Sequence, residues 1–185
     1  MKAFKQVNLV TCDADFHVYR NGLLVIHEDK IVYCGNESTI WVDRADEVVD
    51  CEGAWLMPGL VNCHTHSAMT TLRGIQDDSN LHEWLEDYIW PAERDFTPEV
   101  TTQAVKLALI EMLQTGTTTF NDMYNPNGVE IGQIHEVVAG SKMRCYFSPT
   151  LFSSDVETTE ETLARTRIII EEILAYNDER FIVMV

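Results

Sequence analysis

The feature that most constrains this chain is a regular alternation of apolar strand segments with helical segments, which starts near Trp55. In chain order, the predicted strands cover residues 60–66, 117–122, 144–149 and 181–185, and the predicted helices cover 98–115, 129–139 and 158–176. The strand segments are apolar, and the helical segments carry apolar residues at helical spacing. Strands that alternate with helices in this way predict an α/β fold, in which helices pack on a parallel sheet.

A shorter helix is predicted in the long connection after the first of these strands, from Leu81 to Trp90. Because proline lacks the backbone N–H that a helix interior requires, we expect this helix to stop at Pro91. The next helix has a signal at each end, since Thr97 can cap its start and Gly116 can end it.

The first 57 residues follow a different pattern of short strands and turns. Runs of β-branched and aromatic residues occur at 17–19, 22–27 and 30–33, with turn-forming residues such as Asn21 and Gly22 between them. This pattern predicts a small antiparallel β unit. So few short strands bury little apolar surface, and we therefore expect the unit to pack against something else.

The charge of the chain limits its partners and its location. It carries 13 Lys and Arg against 30 Asp and Glu, a net charge of −17, which would repel nucleic acid and an anionic membrane surface. No apolar run approaches the roughly 20 residues that span a bilayer, and the first residues lack the apolar core of a secretory signal. Five cysteines without a Cys-x-x-Cys pair fit reduced thiols, so a cytoplasmic location is predicted.

The strand at 60–66 ends in two histidines, His64 and His66. Side chains alternate along a strand, so both imidazoles should lie on one face, with Cys63 packing on the other. Strand residues two apart are separated by about 6.5 Å, which lets two imidazoles converge on one cation. The spacing predicts a metal site, although a pair of surface histidines in a loop remains an alternative. Surface or packing roles are expected for the other histidines, which are His17, His27, His82 and His135.

Residues 58–74, PGLVNCHTHSAMTTLRG, resemble the metal-binding signature of the amidohydrolase superfamily. The resemblance continues through LHEWL (81–85), IWPAE (89–93) and EMLQTGTTTFNDMY (111–124). These segments are similar to the branch that contains the 5′-methylthioadenosine/S-adenosylhomocysteine deaminases and the TRZ/ATZ chlorohydrolases. The resemblance implies a metal-dependent (β/α)8 (TIM-like) barrel with one divalent metal, zinc in the deaminases with iron as an alternative, and a small composite β domain.

The same resemblance implies how the chain is divided. Residues 1–57 would be the N-terminal part of a small β-sandwich domain, and 58–185 would be the first half of the barrel, truncated after about four strands. His64 and His66 match the first two metal ligands. The family's other ligands and its proton-transferring Glu come from later strands, so no catalytic residue is expected in this chain. The complete enzyme is expected to be a homo-oligomer.

Two more residues match the substrate pocket of the family. Glu93 matches a glutamate that binds ribose hydroxyls, and a carboxylate can accept hydrogen bonds from two vicinal hydroxyls. Trp84 matches an aromatic residue that lines the nucleoside pocket, where a flat apolar face suits a purine. From the residues alone, a solvated charge at Glu93 and helix packing at Trp84 remain open.

The implied function is zinc-dependent hydrolytic deamination of an adenosine-type nucleoside, such as 5′-methylthioadenosine or adenosine, by an enzyme of which this chain is an incomplete part. S-adenosylhomocysteine is less favoured, because relatives that bind it carry an arginine near the end of the third strand. Here that region reads YFSPTL (146–151), and Arg144 lies at the start of the strand.

Two alternatives remain open. One is a hydrolase or dechlorinase of a triazine or another N-heterocycle, for which Glu93 would be dispensable because such substrates have no ribose. The other is an inactive fragment, or a half-barrel that needs a partner chain, since a complete barrel takes about 250 residues.

Overall fold

The structure is a computed structural model that describes residues 1–124, 129–151 and 158–184. The chain divides into two compact units, Met1–Pro58 and Gly59–Val185. Among the described residues, no helix has both the length and the apolar content to cross a membrane.

The first unit is built on a mixed five-stranded sheet. Its elements are β1 (Lys2–Val10), β2 (Val18–His27), β3 (Lys30–Asn36), α1 (Thr39–Asp43), β4 (Glu47–Asp50) and β5 (Trp55–Leu56). The strands run in the order β3-β2-β1-β4, and β5 also pairs with β1. Ala3, Leu23 and Val25 form its buried core.

The predicted antiparallel pairing is found between β1 and β2 and between β2 and β3, but the sheet also contains parallel pairs that the sequence did not predict. The sequence pattern did not single out β1, which lies inside the sheet and pairs in parallel with β4 and β5. Its sequence, KAFKQVNLV, mixes lysines and polar side chains with the buried Ala3, Val7 and Leu9, so its strand signal is weak. That this sheet belongs to a composite β-sandwich stays a prediction.

The second unit has the predicted parallel sheet with connecting helices, which confirms the α/β fold class. Its strands are β6 (Leu60–Thr65), β7 (Thr117–Met123), β8 (Arg144–Ser148) and β9 (Phe181–Val183), in that spatial order and all parallel. A 3-10 helix (Ser67–Leu72) follows β6, and the longer helices are α4 (Pro98–Gln114), α5 (Ile131–Ser141) and α6 (Thr159–Tyr176).

The core of this unit lies between the sheet and its helices. Phe120 of β7 pairs in register with Cys145 of β8, which pairs with Phe181 of β9, and all three are buried. Helical residues that pack on them are Val105, Leu109, Ile134, Val138 and Ile173. Asp122 is two residues beyond Phe120, so the alternation along β7 buries its carboxylate as well.

The helix predicted from Leu81 does not stop at Pro91. It continues as α2 (Leu81–Glu83), a π-helical segment (Trp84–Ile89) and α3 (Trp90–Arg94). The Trp90 N–H donates to the Leu85 carbonyl, five residues back, as a π-helix requires. Pro91 therefore lies in the first turn of α3, where a missing N–H is tolerated, and the helix carries on to Arg94.

Gly59 precedes β6 at a point where the backbone passes close to the start of β7. A Cβ atom built on Gly59 would lie 2.1 Å from Thr118 Oγ1 and 2.7 Å from Thr118 Cβ. Rotation of the threonine side chain cannot relieve the contact with Cβ. Only glycine therefore lets β6 and β7 approach as closely as they do.

We expect Gly59→Ala to lower the free energy of unfolding by about 1–3 kcal/mol, the usual cost of forcing an atom into packed structure. Gly140→Ala is the matched control, because a Cβ on this helical glycine meets nothing within 4 Å. The control should be neutral or stabilising by up to about 1 kcal/mol. Denaturant unfolding monitored by circular dichroism measures both, and equal effects would contradict the close approach at Gly59.

Candidate metal and substrate site

His64 and His66 lie at the carboxyl end of β6, on the wall of a cavity of about 480 Å³. Their ring centroids are 4.9 Å apart, and the ring planes are nearly perpendicular, at 86°. The pairing of β6 with β7 is irregular between Asn62 and Thr65, yet both imidazoles line the same cavity, as strand alternation predicts. Cys63, which was expected to pack, is exposed instead.

A hydrogen bond from His66 fixes which of its nitrogens is free. The Nδ1 atom lies 2.6 Å from the Met123 carbonyl oxygen. A carbonyl can only accept, so Nδ1 carries the proton, and in the neutral ring Nε2 keeps its lone pair. A metal-binding histidine is commonly oriented in this way, by donating its second nitrogen to a carbonyl or a carboxylate.

Asp122 holds the residue that follows His66. Its Oδ1 accepts the Ser67 N–H at 2.8 Å, and its Oδ2 accepts the Ser67 hydroxyl at 2.5 Å. Burial raises the pKa of Asp122, and the two bonds from Ser67 act in the opposite direction. Both carboxylate oxygens accept from Ser67, so Asp122 fixes the position of the residue that follows His66. The alternation of Asp122 with Phe120 along β7 is the sequence signal that indicates its burial.

Glu93 lies on α3, lines the same cavity and is only 7% exposed. A solvated surface charge, the alternative left open by the sequence, is therefore wrong. Burial raises the pKa of Glu93, while the neighbouring Tyr124 hydroxyl and His66 lower it by smaller amounts. Its Oε1 atom has no hydrogen-bond partner in the described structure. A buried carboxylate oxygen without a partner, facing a cavity, is suited to accept hydrogen bonds from a ligand.

Trp84 lies on the π-helical segment and forms part of an apolar wall of the cavity. The other apolar residues of this wall are Met69, Leu81, Leu85, Ile89, Trp90 and Met123. Trp90 was not singled out from the sequence, where its place beside Pro91 gave only a helix-end signal. A cavity with aromatic and aliphatic walls and a few polar groups is typical of small-molecule sites.

The donor set fits part of a site for a divalent cation. Two imidazoles, one of them with its tautomer fixed, suit a borderline metal such as zinc. Among the described residues, no three His, Cys, Asp or Glu side chains cluster as a metal site would require. His64 and His66 therefore make up a partial ligand set.

The other histidines have the surface and packing roles that the sequence predicted. His27 and His82 are exposed, and His17 pairs with Asp13, with 2.8 Å between Nδ1 and Oδ2. His135 stacks on Tyr176 with ring centroids 4.2 Å apart, and its Nε2 lies 3.1 Å from Asp178 Oδ2.

The sheet, its connecting helices and the histidine pair at a strand end are features of metal-dependent α/β hydrolases. The model of the Amidohydrolase family matches residues 55–184, and the chain belongs to this family. The predicted superfamily and the expectation of a partial barrel are confirmed.

Curated relatives point to one branch of the family. The chain is 44% identical over 159 residues to a 5-methylthioadenosine/S-adenosylhomocysteine deaminase of Bacillus cytotoxicus, covering 86% of this chain and 37% of the relative. A protein of the same name from Bacillus cereus is 42% identical over 158 residues, covering 85% of this chain and 36% of the relative. The chain thus spans little more than a third of the length of these relatives. Their names support the predicted class, hydrolases that act on carbon–nitrogen bonds.

Solved structures show the same fold. An adenosine deaminase from Xanthomonas campestris with bound zinc has a TM-score of 0.79 and 27% identity, covering 98% of this chain and 41% of that one. An atrazine chlorohydrolase from Arthrobacter aurescens, complexed with zinc, also has a TM-score of 0.79. Its identity is 20%, with all of this chain and 46% of that one covered, so this likeness concerns the fold alone.

Asp122→Ala should weaken both folding and metal retention. It leaves the buried Ser67 N–H and hydroxyl without acceptors, at a cost of about 1–3 kcal/mol for each. Asp122→Asn has the same shape and keeps an acceptor for the Ser67 N–H, so it should lose less unfolding free energy and less bound metal than Asp122→Ala. Unfolding free energies and bound metal measured by atomic emission test this, and equal behaviour of the two variants would contradict the role of Asp122.

Proposed function

We propose that the protein containing this chain catalyses the zinc-dependent hydrolytic deamination of an adenosine-type nucleoside, with 5′-methylthioadenosine or adenosine as substrate. One observation carries the proposal. The histidine pair, the buried carboxylate of Glu93 and the indole of Trp84 line a single cavity, which has a volume of about 480 Å³. The histidines can bind the metal, the carboxylate can accept hydrogen bonds from the ribose hydroxyls, and the indole offers a flat surface for the base. Deamination of such a nucleoside requires all three.

The residues of this chain bind and orient the substrate in this proposal. Glu93 accepts hydrogen bonds from the two ribose hydroxyls through the oxygen that has no other partner. Trp84 and the apolar wall cover the purine ring and exclude water from it. Nucleoside and water are converted into an inosine analogue and ammonia.

The metal would be held by His64 and by Nε2 of His66, which is left free by the bond from Nδ1 to the Met123 carbonyl. A bound zinc ion supplies a Lewis acid that lowers the pKa of a coordinated water toward about 7. We propose that the remaining ligands and the proton-transferring carboxylate come from sequence outside this chain.

Relatives support this substrate class. Those at 44% and 42% identity are named for 5-methylthioadenosine and S-adenosylhomocysteine deamination, and the Xanthomonas structure is an adenosine deaminase with zinc. Of these substrates we disfavour S-adenosylhomocysteine, whose amino-acid carboxylate calls for a cation. Arg144 is the first residue of β8 and is exposed, at the end of the strand opposite the cavity.

The activity is tested on the protein encoded by the complete reading frame that contains this chain. With zinc and 5′-methylthioadenosine, the adenine absorbance should decrease as ammonia is released. A chelator should stop the reaction and added zinc should restore it, because the proposed reaction requires the bound metal. No reaction with any 6-aminopurine nucleoside would show the proposal to be wrong.

Glu93→Gln should raise KM for these nucleosides about 10- to 100-fold, because hydrogen bonds to a charged group contribute about 1.5–3 kcal/mol. Glu136→Gln is the matched control, since Glu136 is an exposed residue of α5 outside the cavity. Steady-state kinetics measure both. An unchanged KM in Glu93→Gln would favour a triazine or another heterocycle without a ribose.

A further inference from the structure

Two residues that line the cavity each carry a buried polar atom without a hydrogen-bond partner. In the described residues, four buried side-chain oxygens have no hydrogen-bond partner: Glu93 Oε1, Thr101 Oγ1, the Tyr124 hydroxyl and Thr166 Oγ1. Thr101 and Thr166 lie within α4 and α6. Only Glu93 and Tyr124, of these four, line the cavity that also contains the histidine pair.

Tyr124 follows β7 directly, is only 4% exposed, packs in the core and also lines the cavity. Burial, together with the nearby carboxylates of Glu93 and Asp122, raises its pKa far above the usual value. The hydroxyl therefore stays protonated and remains a donor. The Tyr124 hydroxyl lies close enough to the Glu93 carboxylate to lower its pKa as a hydrogen-bond donor would, yet neither this hydroxyl nor Glu93 Oε1 makes a hydrogen bond of full geometry.

A donor and an acceptor that are both buried, adjacent and unpaired are an unusual combination. Leaving each without a partner costs free energy, and folding normally pairs such groups. The chain itself provides the contrast, because Tyr176 donates a hydrogen bond to Glu172 within α6, away from the cavity. The unpaired state of the Tyr124 hydroxyl and of Glu93 Oε1 therefore indicates that their hydrogen bonds form only when a ligand binds.

We propose that Tyr124 is a positioning residue for Glu93. When a nucleoside binds, the Tyr124 hydroxyl donates a hydrogen bond to one carboxylate oxygen of Glu93 and holds the carboxylate so that it accepts from both hydroxyls of the vicinal diol. Tyr124 thus contributes to selection of ribose over sugars that lack the diol. This inference rests on the proposed function, and it adds a residue to the recognition of the sugar.

The test compares Tyr124→Phe with Tyr176→Phe in the complete protein, using adenosine and 2′,3′-dideoxyadenosine. Tyr124→Phe should raise KM for adenosine roughly 5- to 20-fold, less than Glu93→Gln does because Tyr124 acts only through Glu93, and should change kcat less than about two-fold. KM for the dideoxynucleoside should change less than about two-fold. Tyr176→Phe should leave both KM values unchanged.

Two further measurements separate positioning from a structural role. Tyr124→Phe should not lower the melting temperature of the ligand-free protein, because it removes a hydroxyl that has no partner there. Tyr176→Phe should lower it, because it removes a formed hydrogen bond. In a Glu93→Gln background, Tyr124→Phe should raise KM for adenosine by less than about two-fold, since its effect acts through Glu93.

The inference is overturned if Tyr124→Phe raises KM equally for both nucleosides, if it lowers the melting temperature as Tyr176→Phe does, or if its effect persists in full in Glu93→Gln. Failure of the proposed function has a different signature. It would be seen in the unsubstituted protein, as absence of deamination with every nucleoside, and would overturn both proposals together.

Discussion

The parallel pairing of β6 with β7 is the constraint on which the rest of the site depends. It sets Thr65 opposite Asp122, and the residues that follow each of them then meet. His66 donates to the carbonyl of Met123, and Ser67 donates twice to Asp122. One strand thus leads to the two imidazoles, and its neighbour supplies the carbonyl that orients His66 and the carboxylate that holds Ser67. A shift in register would separate all of these pairs at once.

The cavity combines a few polar groups with a largely apolar wall. Burial of these polar groups increases the free energy that each gains from a hydrogen bond to a ligand. An exposed Glu93 would be hydrated and would gain little from a ligand, whereas a buried one lacks that hydration and has an oxygen without a partner. The same reasoning applies to the hydroxyl of Tyr124. The free energy that keeps such groups out of water comes from the surrounding apolar core.

Much of this could be predicted from the sequence, for reasons that differ between residues. Strand alternation placed His64 and His66 on one face, and the alternation of strands with helices gave the parallel sheet. The interior strand β1 was missed because its burial depends on neighbours that local pattern does not show. The contact of Asp122 with Ser67 could not be predicted for a related reason, since the two residues lie 55 positions apart and only the fold brings them together.

The π-helical segment determines which side chains of this helix face the cavity. Side chains five apart, such as Trp84 and Ile89, share a face in a π-helix, and both line the cavity. An α-helix turns by about 100° per residue, so winding the same residues as a regular α-helix would rotate Glu93 by roughly that angle relative to Trp84. Every residue of the wall could be kept and the pocket would still be lost. In this segment the spacing of the side chains is therefore as specific a requirement as their identity.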